Sequence, residues 1–282
     1  MPDFPSFLSA QKPLVMGVLN VTPDSFSDGG LYQDPSRALT RIETMLEEGA
    51  AVIDVGGEST RPGSEPVPAE EERRRTEPVI REARKQFPDA FFSIDSMKSS
   101  VVKAALEAGA QIVNDVSGLQ HDPEKADYAA EFGAALIIMH AQGTPKTMQR
   151  QPKYEDIIAE ISAFLQSQAA EAVARGVEKA SIIIDPGIGF GKPLQHNLML
   201  FKYLATITRL GYPVLMGGSR KPMIGRLLDG RGVENDGRLA GTLALHYDAL
   251  TKGAAILRAH DVRQAVDSIR IFRAINAPES LG

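Results

Sequence analysis

Eight short apolar runs recur along the chain, and nearly every one ends at a polar residue. Each run is too short for a helix, contains Val, Ile or Phe, and is followed by a stretch of helical periodicity. The runs are Val15–Leu19, Ala51–Ile53, Phe91–Ile94, Gln111–Val113, Ala135–Met139, Ser181–Ile184, Val214–Met216 and Ala255–Leu257. Strand alternating with helix eight times predicts an α/β fold, a single closed (β/α)₈ barrel of parallel strands.

The polar residues at the ends of these runs are the first candidates for function, because parallel barrels place their chemistry at the carboxyl ends of the strands. Polar residues directly follow the first six runs, and they are Asn20, Asp54, Asp95, Asn114, His140 and Asp185. The loops after strands 1, 2, 5, 6 and 7 are long or rich in Gly and Pro, whereas the helix-to-strand returns are short. Long strand-to-helix loops above a rigid barrel are how this architecture builds a site.

The segments between the runs have the start signals and apolar stripes of amphipathic helices. Asp34 can cap a helix whose first turn contains Pro35, and Asp261 can cap the last helix in the same way. Other helices are predicted near Ala69–Gln86, Met97–Ala108, Pro123–Phe132, Tyr154–Arg175, Gln195–Leu210 and Arg238–Lys252. Because the sequence contains no linker or low-complexity tract, we expect one domain over residues 1–282, with the barrel core at about 14–276.

Composition limits the classes of partner. The net charge of −5 argues against a general nucleic-acid surface, although it leaves room for a local anion pocket. No apolar stretch approaches the roughly 20 residues that span a bilayer, and residues 1–13 lack the basic and apolar segments of a signal peptide. The chain has no cysteine, so disulfide and thiol chemistry are excluded. We therefore expect a soluble cytoplasmic protein that binds neither nucleic acid nor membrane.

Asp95, Asn114 and Asp185 are expected to project into the barrel mouth near one another. A carboxylate accepts two N–H bonds side by side, and an amide supplies one donor and one acceptor, which suits the donor-rich edge of a planar heterocycle. Capping of the next helix or closure of a turn explains any one of these residues about equally well. Three such residues on strands 3, 4 and 6 of one barrel favour a ligand site.

A second set of candidates is basic and follows strands 2, 7 and 8. It consists of Arg61, the segment Ser219–Lys221, Arg258 and His260. The loops after strands 7 and 8 form the recurrent phosphate site of these barrels, and backbone N–H groups near Asp261 would contribute to it. A single basic residue is usually a solvated surface charge, but basic groups at adjacent strand ends of an acidic chain favour an anion site.

Three further features each suggest a hypothesis. Asn20 and Asp24 could supply oxygen ligands to Mg²⁺ near a polyphosphate. The segment Asp185–Lys192 lacks the first glycine and the Ser or Thr of a phosphate loop, so its glycines are interpreted as letting backbone approach a flat ligand that Phe190 covers. The histidines at 121, 196 and 246 are interpreted as structural or surface residues, and no role is assigned to His140.

Longer motifs at the same positions resemble those of the dihydropteroate synthase family, and the match covers nearly all of Val15–Ile271. The segment Met16–Gly30 reads Met-Gly-Val-Leu-Asn-Val-Thr-Pro-Asp-Ser-Phe-Ser-Asp-Gly-Gly, and Asp54–Gly63 reads Asp-Val-Gly-Gly-Glu-Ser-Thr-Arg-Pro-Gly. The other matching segments are Ser93–Ser96, Asn114–Gly118, Ile138–His140, Asp185–Lys192, Gly217–Lys221 and Arg258–Val262.

The resemblance implies a TIM-barrel transferase that joins 6-hydroxymethyl-7,8-dihydropterin diphosphate to 4-aminobenzoate, releases diphosphate and uses Mg²⁺. The implied pterin-binding residues are Asp95, Asn114, Met139, Asp185, Phe190, Gly217 and Lys221. The implied diphosphate-binding residues are Asn20, which also serves the metal ion, Thr60, Arg61, Arg258 and His260. The implied aminobenzoate-binding residues are Phe26, Thr60, Pro62, Phe190 and Ser219.

Within this set the resemblance implies Asp95, Lys221 and Arg258 as catalytic residues. Two loops, Val21–Leu31 and Gly56–Val67, are expected to close over the substrates. Loss of diphosphate builds positive charge at the pterin methylene and negative charge on the phosphates, so the protein need only stabilise that separation and exclude water. The family also implies a homodimer, with the last two helices as its usual surface.

Three other functions stay open. A cobalamin-linked pterin methyltransferase would share the fold and the pterin-edge residues, but it would not need the basic groups of Arg61, Arg258 and His260. A Schiff-base aldolase would use Lys221 as its nucleophile, which borohydride trapping with a carbonyl substrate would reveal. A non-catalytic ligand-binding barrel would leave both loop motifs without a purpose.

Overall fold

Eight parallel strands form one sheet in the computed structural model, which describes residues 3–22, 35–60, 63–143, 148, 152–230, 232, 234 and 237–281. The strands are β1 (Leu14–Asn20), β2 (Val52–Gly56), β3 (Phe91–Asp95), β4 (Ile112–Asp115), β5 (Ala135–Met139), β6 (Ile182–Asp185), β7 (Leu215–Met216) and β8 (Ile256–Ala259). Their order is β6-β5-β4-β3-β2-β1-β8-β7, and a parallel bridge between Ile184 and Val214 joins β6 to the segment before β7. The sheet thereby closes on itself, and the predicted (β/α)₈ TIM barrel is confirmed.

Helices alternate with the strands. They are α1 (Phe4–Gln11), α2 (Ser36–Glu47), α3 (Ala69–Gln86), α4 (Ser99–Glu107), α5 (Glu124–Glu131), α6 (Ile157–Ala174), α7 (Leu194–Lys202), α8 (Leu204–Thr208), α9 (Pro222–Leu227), α10 (Leu239–Thr251) and α11 (Val262–Asn276). Short 3₁₀ turns lie at Lys179–Ser181 and Pro278–Leu281. Within the described residues, no helix is both long and apolar enough to cross a membrane.

Three helices differ from the sequence prediction. The helix predicted at Gln195–Leu210 is divided into α7 and α8 at Tyr203. Helices α1 and α9 are not predicted, because eight and six residues are too few for a clear periodicity. Helix α1 nevertheless has a start signal, since the carboxylate of Asp3 accepts a hydrogen bond from the amide of Ser6 at 2.8 Å and Pro5 lies in the first turn.

The two predicted helix caps have different outcomes. Asp34 lies outside the described residues, and α2 begins directly after Pro35. Asp261 does occupy the N-cap position of α11, but its side chain makes no capping hydrogen bond. Its carboxylate accepts from the guanidinium of Arg220 instead. The predicted position is correct and the predicted bond is wrong, because a charged donor is a stronger partner than a backbone amide.

Alternation along the strands produces two apolar layers. Outward-facing residues such as Ile53 and Phe92 pack between the sheet and the helices. Inward-facing residues such as Met16 and Phe91 fill the barrel near the amino ends of the strands. Helix α1 covers that end, where the ring centroids of Phe4 and Phe91 lie 5.0 Å apart. The barrel interior is therefore a packed core, and the half of it near the amino ends of the strands is closed to water.

Further along the strands the inward positions change from apolar to polar. Asp54 lies two residues after the inward-facing Val52, and Asn114 lies two residues after Ile112. Because side chains of a strand alternate with a period of two, both pairs face the barrel interior. The inward residues of this layer are Asp54, Ser93, Asp95, Asn114, Asp185 and Arg258. The polar layer rests on the apolar one and forms the floor of the barrel mouth.

A fully buried ion pair fixes the loop after β4. Nζ of Lys125 lies 3.0 Å from Oδ1 of Asp115, and neither side chain is exposed. The ammonium also donates to the carbonyl of Met97 at 2.8 Å and to Oγ of Ser117 at 3.0 Å. The second carboxylate oxygen of Asp115 accepts from the amide of Leu119 at 2.7 Å. Each of the three ammonium donors therefore has an acceptor, which is what a buried charge requires.

Replacing Lys125 with Met should destabilise the fold by about 3–5 kcal/mol, because the carboxylate of Asp115 would stay buried without its counter-charge. The free energy of unfolding, measured by urea denaturation, checks this expectation. The double variant Lys125→Met, Asp115→Asn removes both charges and should recover part of the loss. A single variant as stable as the unaltered chain would contradict the role given to this pair.

Candidate active site

Strand register brings the predicted site residues of β1, β3 and β4 to one level of the barrel mouth. Asn20 is paired with Gly56, Gly56 with Asp95, and Asp95 with Asn114. Gly56 leaves space in this row, since a Cβ there would lie 3.6 Å from Cβ of Asp95 and 3.8 Å from Oδ1 of Asn20. Asn20, Asp95 and Asn114 therefore line one arc of the mouth.

The guanidinium of Arg258 connects β8 to β2 and β3. Its Nε donates to Oδ2 of Asp54 at 2.7 Å, and a terminal nitrogen donates to Oδ2 of Asp95 at 2.8 Å. The same Oδ2 of Asp54 accepts from Nδ2 of Asn114 at 2.9 Å. The fully buried Asp54 is thus the acceptor shared by a cation and an amide. Arg258, implied by the resemblance for diphosphate, lies against the carboxylates of the expected pterin site.

Two buried carboxylate oxygens of this cluster accept no hydrogen bond from any described residue. They are Oδ1 of Asp54 and Oδ1 of Asp95. Burial raises the pKa of Asp95 to about 7, against the opposing influence of the Arg258 cation. An acceptor left unsatisfied in the interior destabilises the fold unless a ligand supplies a donor. Beside the amide of Asn114, these oxygens offer a ligand two strong acceptors.

Asp185 lies at the end of β6, next to Met139 of β5. Its Oδ1 accepts from the amide of Gly187 at 2.7 Å, and its Oδ2 lies 3.9 Å from where a Cβ would stand at Gly217. Burial raises the pKa of Asp185 to about 6, while the Gly187 hydrogen bond and the Lys221 cation act in the opposite direction. Because Gly217 has no side chain, ligand atoms can approach the second carboxylate oxygen.

Lys221 and Phe190 form a cation–π contact, with Nζ 4.3 Å from the ring centroid. The aliphatic part of the lysine passes Gly189, where a Cβ would lie in van der Waals contact at 3.4 Å from Cδ of Lys221. Burial lowers the pKa of Lys221 to about 8, and the nearby Arg258 cation adds to this effect. The carboxylate of Asp185 favours the charged ammonium. The structure thus brings Lys221 to both the aromatic and the acidic parts of the expected pterin site.

His260 and Ser219 are joined beyond the ends of β8 and β7. Oγ of Ser219 lies 3.1 Å from Nδ1 of His260 and accepts from the His260 amide at 3.2 Å. Since Oγ accepts the amide proton, its own proton is available to Nδ1, which favours the tautomer protonated on Nε2. Burial and the cation of Arg258 lower the pKa of His260 to about 3. At pH 7 the imidazole is neutral and offers one N–H donor.

Arg220, the central residue of the basic segment after β7, is paired with the carboxylate at the start of α11. Its Nε donates to Oδ2 of Asp261 at 2.9 Å. Its φ of +57° lies in the left-handed region, and its amide donates to Oγ1 of Thr242 at 3.1 Å. The guanidinium of Arg220 is thus paired with a carboxylate, and the contribution of Ser219–Lys221 to an anion site stays a prediction.

Four residues singled out in the sequence lie outside the described part of the chain. They are Asp24, Phe26, Arg61 and Pro62. Residues 23–31 of the first loop expected to close over the substrates lie there as well, whereas Arg61 and Pro62 are the only such residues of the second loop. Thr60 is the last described residue before Arg61.

The start of the β2–α3 loop is anchored by charge. The ammonium of Lys98 donates to the carboxylates of Glu58 and Glu72. Burial raises the pKa of Glu72, although the Lys98 hydrogen bond acts against that rise. Arg75 donates to the carbonyl of Gly57 at 2.9 Å. These contacts fix the residues immediately before Thr60, and the sequence reasoning does not predict them.

Two of the histidines outside the expected ligand sites, His140 and His196, contact aromatic rings. His140 is buried with its ring edge against Phe164, at 4.9 Å between centroids, and burial lowers its pKa to about 3. His196 meets Tyr154 edge-on at 5.3 Å. His246 in α10 is buried, and burial lowers its pKa to about 4. At pH 7 the rings of His140 and His246 are neutral.

Among the described residues, no group of three or more His, Cys, Asp or Glu side chains could hold a metal ion. The predicted ligand Asn20 is half-buried at the mouth, in register with Gly56. Mg²⁺ keeps most of its waters and needs only one or two protein oxygens when a polyphosphate supplies others. The side-chain oxygen of Asn20 fits a shared site of that kind.

Two residues of the mouth have no role assigned in the sequence analysis, although Asp54 ends the second apolar run. Asp54 has a recognisable signal, because its distance of two residues from Val52 gives its inward direction. Lys192 has no such signal. Its ammonium is buried and binds three backbone carbonyls, a contact that depends on how the loop after β6 folds back on β5.

The fold and the arrangement of charged groups fit a barrel enzyme with a site for a flat, donor-rich heterocycle and an anion. Acidic residues on β2, β3 and β6 face basic groups from β8 and the β7–α9 loop. Residues 16–260 match the profile of a family described as pterin binding enzyme, which agrees with this class.

Comparison with individual proteins narrows the class. Dihydropteroate synthase from Haemophilus influenzae is 43% identical over 267 residues, covering 95% of each chain. The crystal structure of Yersinia pestis dihydropteroate synthase with a sulfonamide drug complex has a TM-score of 0.87 and 41% identity, covering 96% of each chain. Xanthomonas albilineans dihydropteroate synthase with 4-aminobenzoic acid has a TM-score of 0.87 and 42% identity, covering 95% of this chain and 94% of that one. The chain belongs to the dihydropteroate synthase family of transferases.

Replacing Arg258 with Met should raise the pKa of Asp95 above about 7, because this cation is the main influence that favours the ionised carboxylate. The carboxyl carbon shift of Asp95, followed by NMR through a pH titration, measures the change. Arg263→Met on the exposed side of α11 is the matched control and should leave the titration unchanged. A midpoint that stays constant or falls in the Arg258 variant would show that this cation does not control Asp95.

Proposed function

We propose that this chain condenses 6-hydroxymethyl-7,8-dihydropterin diphosphate with 4-aminobenzoate to give 7,8-dihydropteroate and diphosphate, a reaction of folate biosynthesis. Family membership supports this reaction, and each of the three relatives above has the synthase name. That favours the synthase reaction over methyl transfer from a cobalamin partner. The Xanthomonas albilineans relative holds 4-aminobenzoic acid, which is the second substrate proposed here.

The observation that carries the proposal is the row of carboxylate acceptors in the mouth. Asp54 and Asp95 each have a buried oxygen without a donor among the described residues, and Oδ2 of Asp185 lies beside Gly217. A pterin has ring N–H and amino donors along one edge, which suit such a row. We assign the ring to Asp95, Asn114, Met139, Asp185, Phe190, Gly217 and Lys221, as the resemblance implies.

The diphosphate is assigned to the basic side of the mouth. Arg258 uses two of its nitrogens on Asp54 and Asp95, which leaves donors of its guanidinium for an anion. His260 is neutral and offers Nε2–H, since Nδ1 faces the hydroxyl of Ser219. The proposed diphosphate residues are Asn20, Thr60, Arg61, Arg258 and His260.

The proposed reaction breaks the bond from the pterin methylene carbon to a diphosphate oxygen and forms a bond from that carbon to the amine nitrogen of 4-aminobenzoate. The uncharged amine supplies the electron pair and afterwards loses one proton. Arg258 stabilises the negative charge that grows on diphosphate, while Asp95 stabilises positive charge on the pterin, whose ring Lys221 contacts. The site needs no strong base, and the packed barrel floor closes the site on the side of the amino ends of the strands.

A Mg²⁺ ion bound to diphosphate would add positive charge next to the leaving group. We propose Asn20 as its protein ligand, because the half-buried side-chain oxygen lies at the mouth beside Gly56. Phosphate oxygens and water would complete the coordination. The remaining proposed roles belong to the chain's own carboxylates and cations.

We further propose that residues 1–282 form one domain and that the chain works as a cytoplasmic homodimer. Helices α10 and α11 pack on each other, and Ile271 and Ile275 of α11 are 58% and 61% exposed. Two exposed isoleucines one turn apart form an apolar patch that a second copy would cover. The absence of cysteine suits a reducing compartment.

Incubation of the chain with the pterin diphosphate, 4-aminobenzoate and Mg²⁺ tests the reaction. Dihydropteroate, separated by chromatography, and diphosphate, measured enzymatically, should appear in equal amounts, because each turnover makes one of each. Dihydropteroate must be missing when either substrate is left out. A chain that binds pterin but makes no dihydropteroate would overturn the proposed reaction.

Asp185→Asn should weaken the binding of a pterin analogue roughly tenfold to a hundredfold, because the amide N–H₂ would face the ligand's own donors. The charge-assisted hydrogen bonds that are lost contribute about 1.5–3 kcal/mol. The pKa of Asp185 is raised to about 6, so the unaltered chain should lose affinity roughly tenfold per pH unit below pH 6. The variant should lose that component of the pH dependence. Calorimetry from pH 5 to about 8, with the exposed Asp267→Asn as control, decides.

Binding of a sulfonamide should require diphosphate and Mg²⁺. The proposed aminobenzoate residues are Phe26, Thr60, Pro62, Phe190 and Ser219. Several of them lie on loops rich in Gly and Ser, whose ordering costs conformational entropy that diphosphate contacts at Asn20 and Arg61 would offset. Calorimetry of a sulfonamide with a pterin present, with and without Mg²⁺-diphosphate, should give much tighter binding in its presence. By thermodynamic reciprocity, the sulfonamide must increase the affinity for diphosphate by the same factor. Equal affinities would mean that the pocket is preformed.

A further inference from the structure

Three backbone carbonyls converge on the ammonium of Lys192 in the loop between β6 and α7. Nζ donates to the carbonyls of Gly187 and Phe190 at 2.9 Å each, and to the carbonyl of His140 at 3.1 Å. The side chain is only 2% exposed. All three ammonium donors therefore bind peptide oxygens, which surround Nζ as they would surround a bound cation.

The carbonyls converge because the loop after β6 folds onto the backbone after β5. Gly187 has a φ of +72°, and a Cβ there would lie 1.9 Å from the carbonyl oxygen of His140. Gly191 has a φ of +65°, and a Cβ there would lie 2.5 Å from the carbonyl oxygen of Gln142. Glycine is required at both positions. Carbonyl dipoles brought together in this way repel one another unless a cation lies between them.

The three anchored peptides adjoin residues of the proposed pterin site. The amide of Gly187 donates to Oδ1 of Asp185, while the carbonyl of Gly187 accepts from Lys192. Phe190 is held by its carbonyl, and its ring contacts the ammonium of Lys221. A shift of this loop would therefore move the Asp185 hydrogen bond and the Phe190 ring together.

Lys192 differs from the other anchors of the loop because it is charged. Asn197 accepts from the Gly189 amide at 2.6 Å, and Tyr154 donates to the carbonyl of Gly191 at 3.0 Å, both as neutral groups. The cation of Lys192 also favours the ionised carboxylate of Asp185. In return, that carboxylate favours the charged ammonium, although burial lowers the pKa of Lys192 to about 7.

We propose that Lys192 is a positioning residue of the pterin site, which fixes the loop that presents Asp185 and Phe190 by binding the carbonyls of His140, Gly187 and Phe190. The inference rests on the proposed function and extends it to a residue whose ammonium is occupied entirely by backbone. It also explains why a lysine ends the glycine-rich segment without serving a phosphate.

The test compares Lys192→Met with Lys252→Met. Lys252 also donates to a backbone carbonyl, that of Phe201 at 2.8 Å, but it lies at the end of α10. Lys192→Met should weaken the binding of a pterin analogue at least tenfold. It should also raise the KM for the pterin diphosphate by a larger factor than it lowers kcat. Lys192→Arg, which keeps the charge, should restore part of the affinity. Lys252→Met should bind as the unaltered chain does.

Wild-type affinity in a folded Lys192→Met chain would overturn the inference while leaving the proposed function intact. Absence of pterin binding by the unaltered chain would overturn both. If Lys192→Met does not fold, ¹⁵N NMR of lysine side chains in the unaltered protein decides instead. The Lys192 ammonium should exchange slowly with water and shift when the pterin analogue binds. Fast exchange, or a signal that does not respond to the analogue, would overturn the inference.

Discussion

The pleat of a closed parallel barrel is the constraint on which the rest of the molecule depends. Side chains of a strand alternate between the inside and the outside of the barrel. Three consecutive residues can therefore fill the barrel interior, contact a helix outside it and place a polar group in the mouth. Val52, Ile53 and Asp54 do so in sequence. The apolar layer below excludes water from the floor of the mouth. Electrostatic interactions in the polar layer above it are therefore strong, and polar groups without a partner there destabilise the fold.

Burial brings the pKa values of the acidic and basic side chains of the mouth closer together. The pKa values of Asp185 and Asp95 rise to about 6 and about 7, and those of Lys192 and Lys221 fall to about 7 and about 8. Such a site responds to the charge of its ligand, because small electrostatic changes shift protonation. Anionic diphosphate favours charged lysines, and a donor-rich ring favours ionised aspartates.

Much of the site follows from the sequence, because strand ends and a period of two give the positions of Asp95, Asn114 and Asp185. The same rule gives Asp54 as a strand-end residue, but not its role as the acceptor shared by Arg258 and Asn114. Contacts between segments distant in the chain could not be found in this way. The Arg220–Asp261 ion pair and the carbonyls around Lys192 exist only once separate loops meet. Sequence patterns give a side chain's direction along its own element, not its partner.

Arg258 bonds to residues 204 and 163 positions earlier in the chain, Asp54 and Asp95. The two carboxylates are synthesised long before their counter-charge, and they become buried and neutralised together only when the last strand docks beside the first. A chain lacking β8 would therefore retain hydrated acids where the finished protein has a pocket. The acidic side of the pocket therefore acquires its counter-charge from the last strand of the ring.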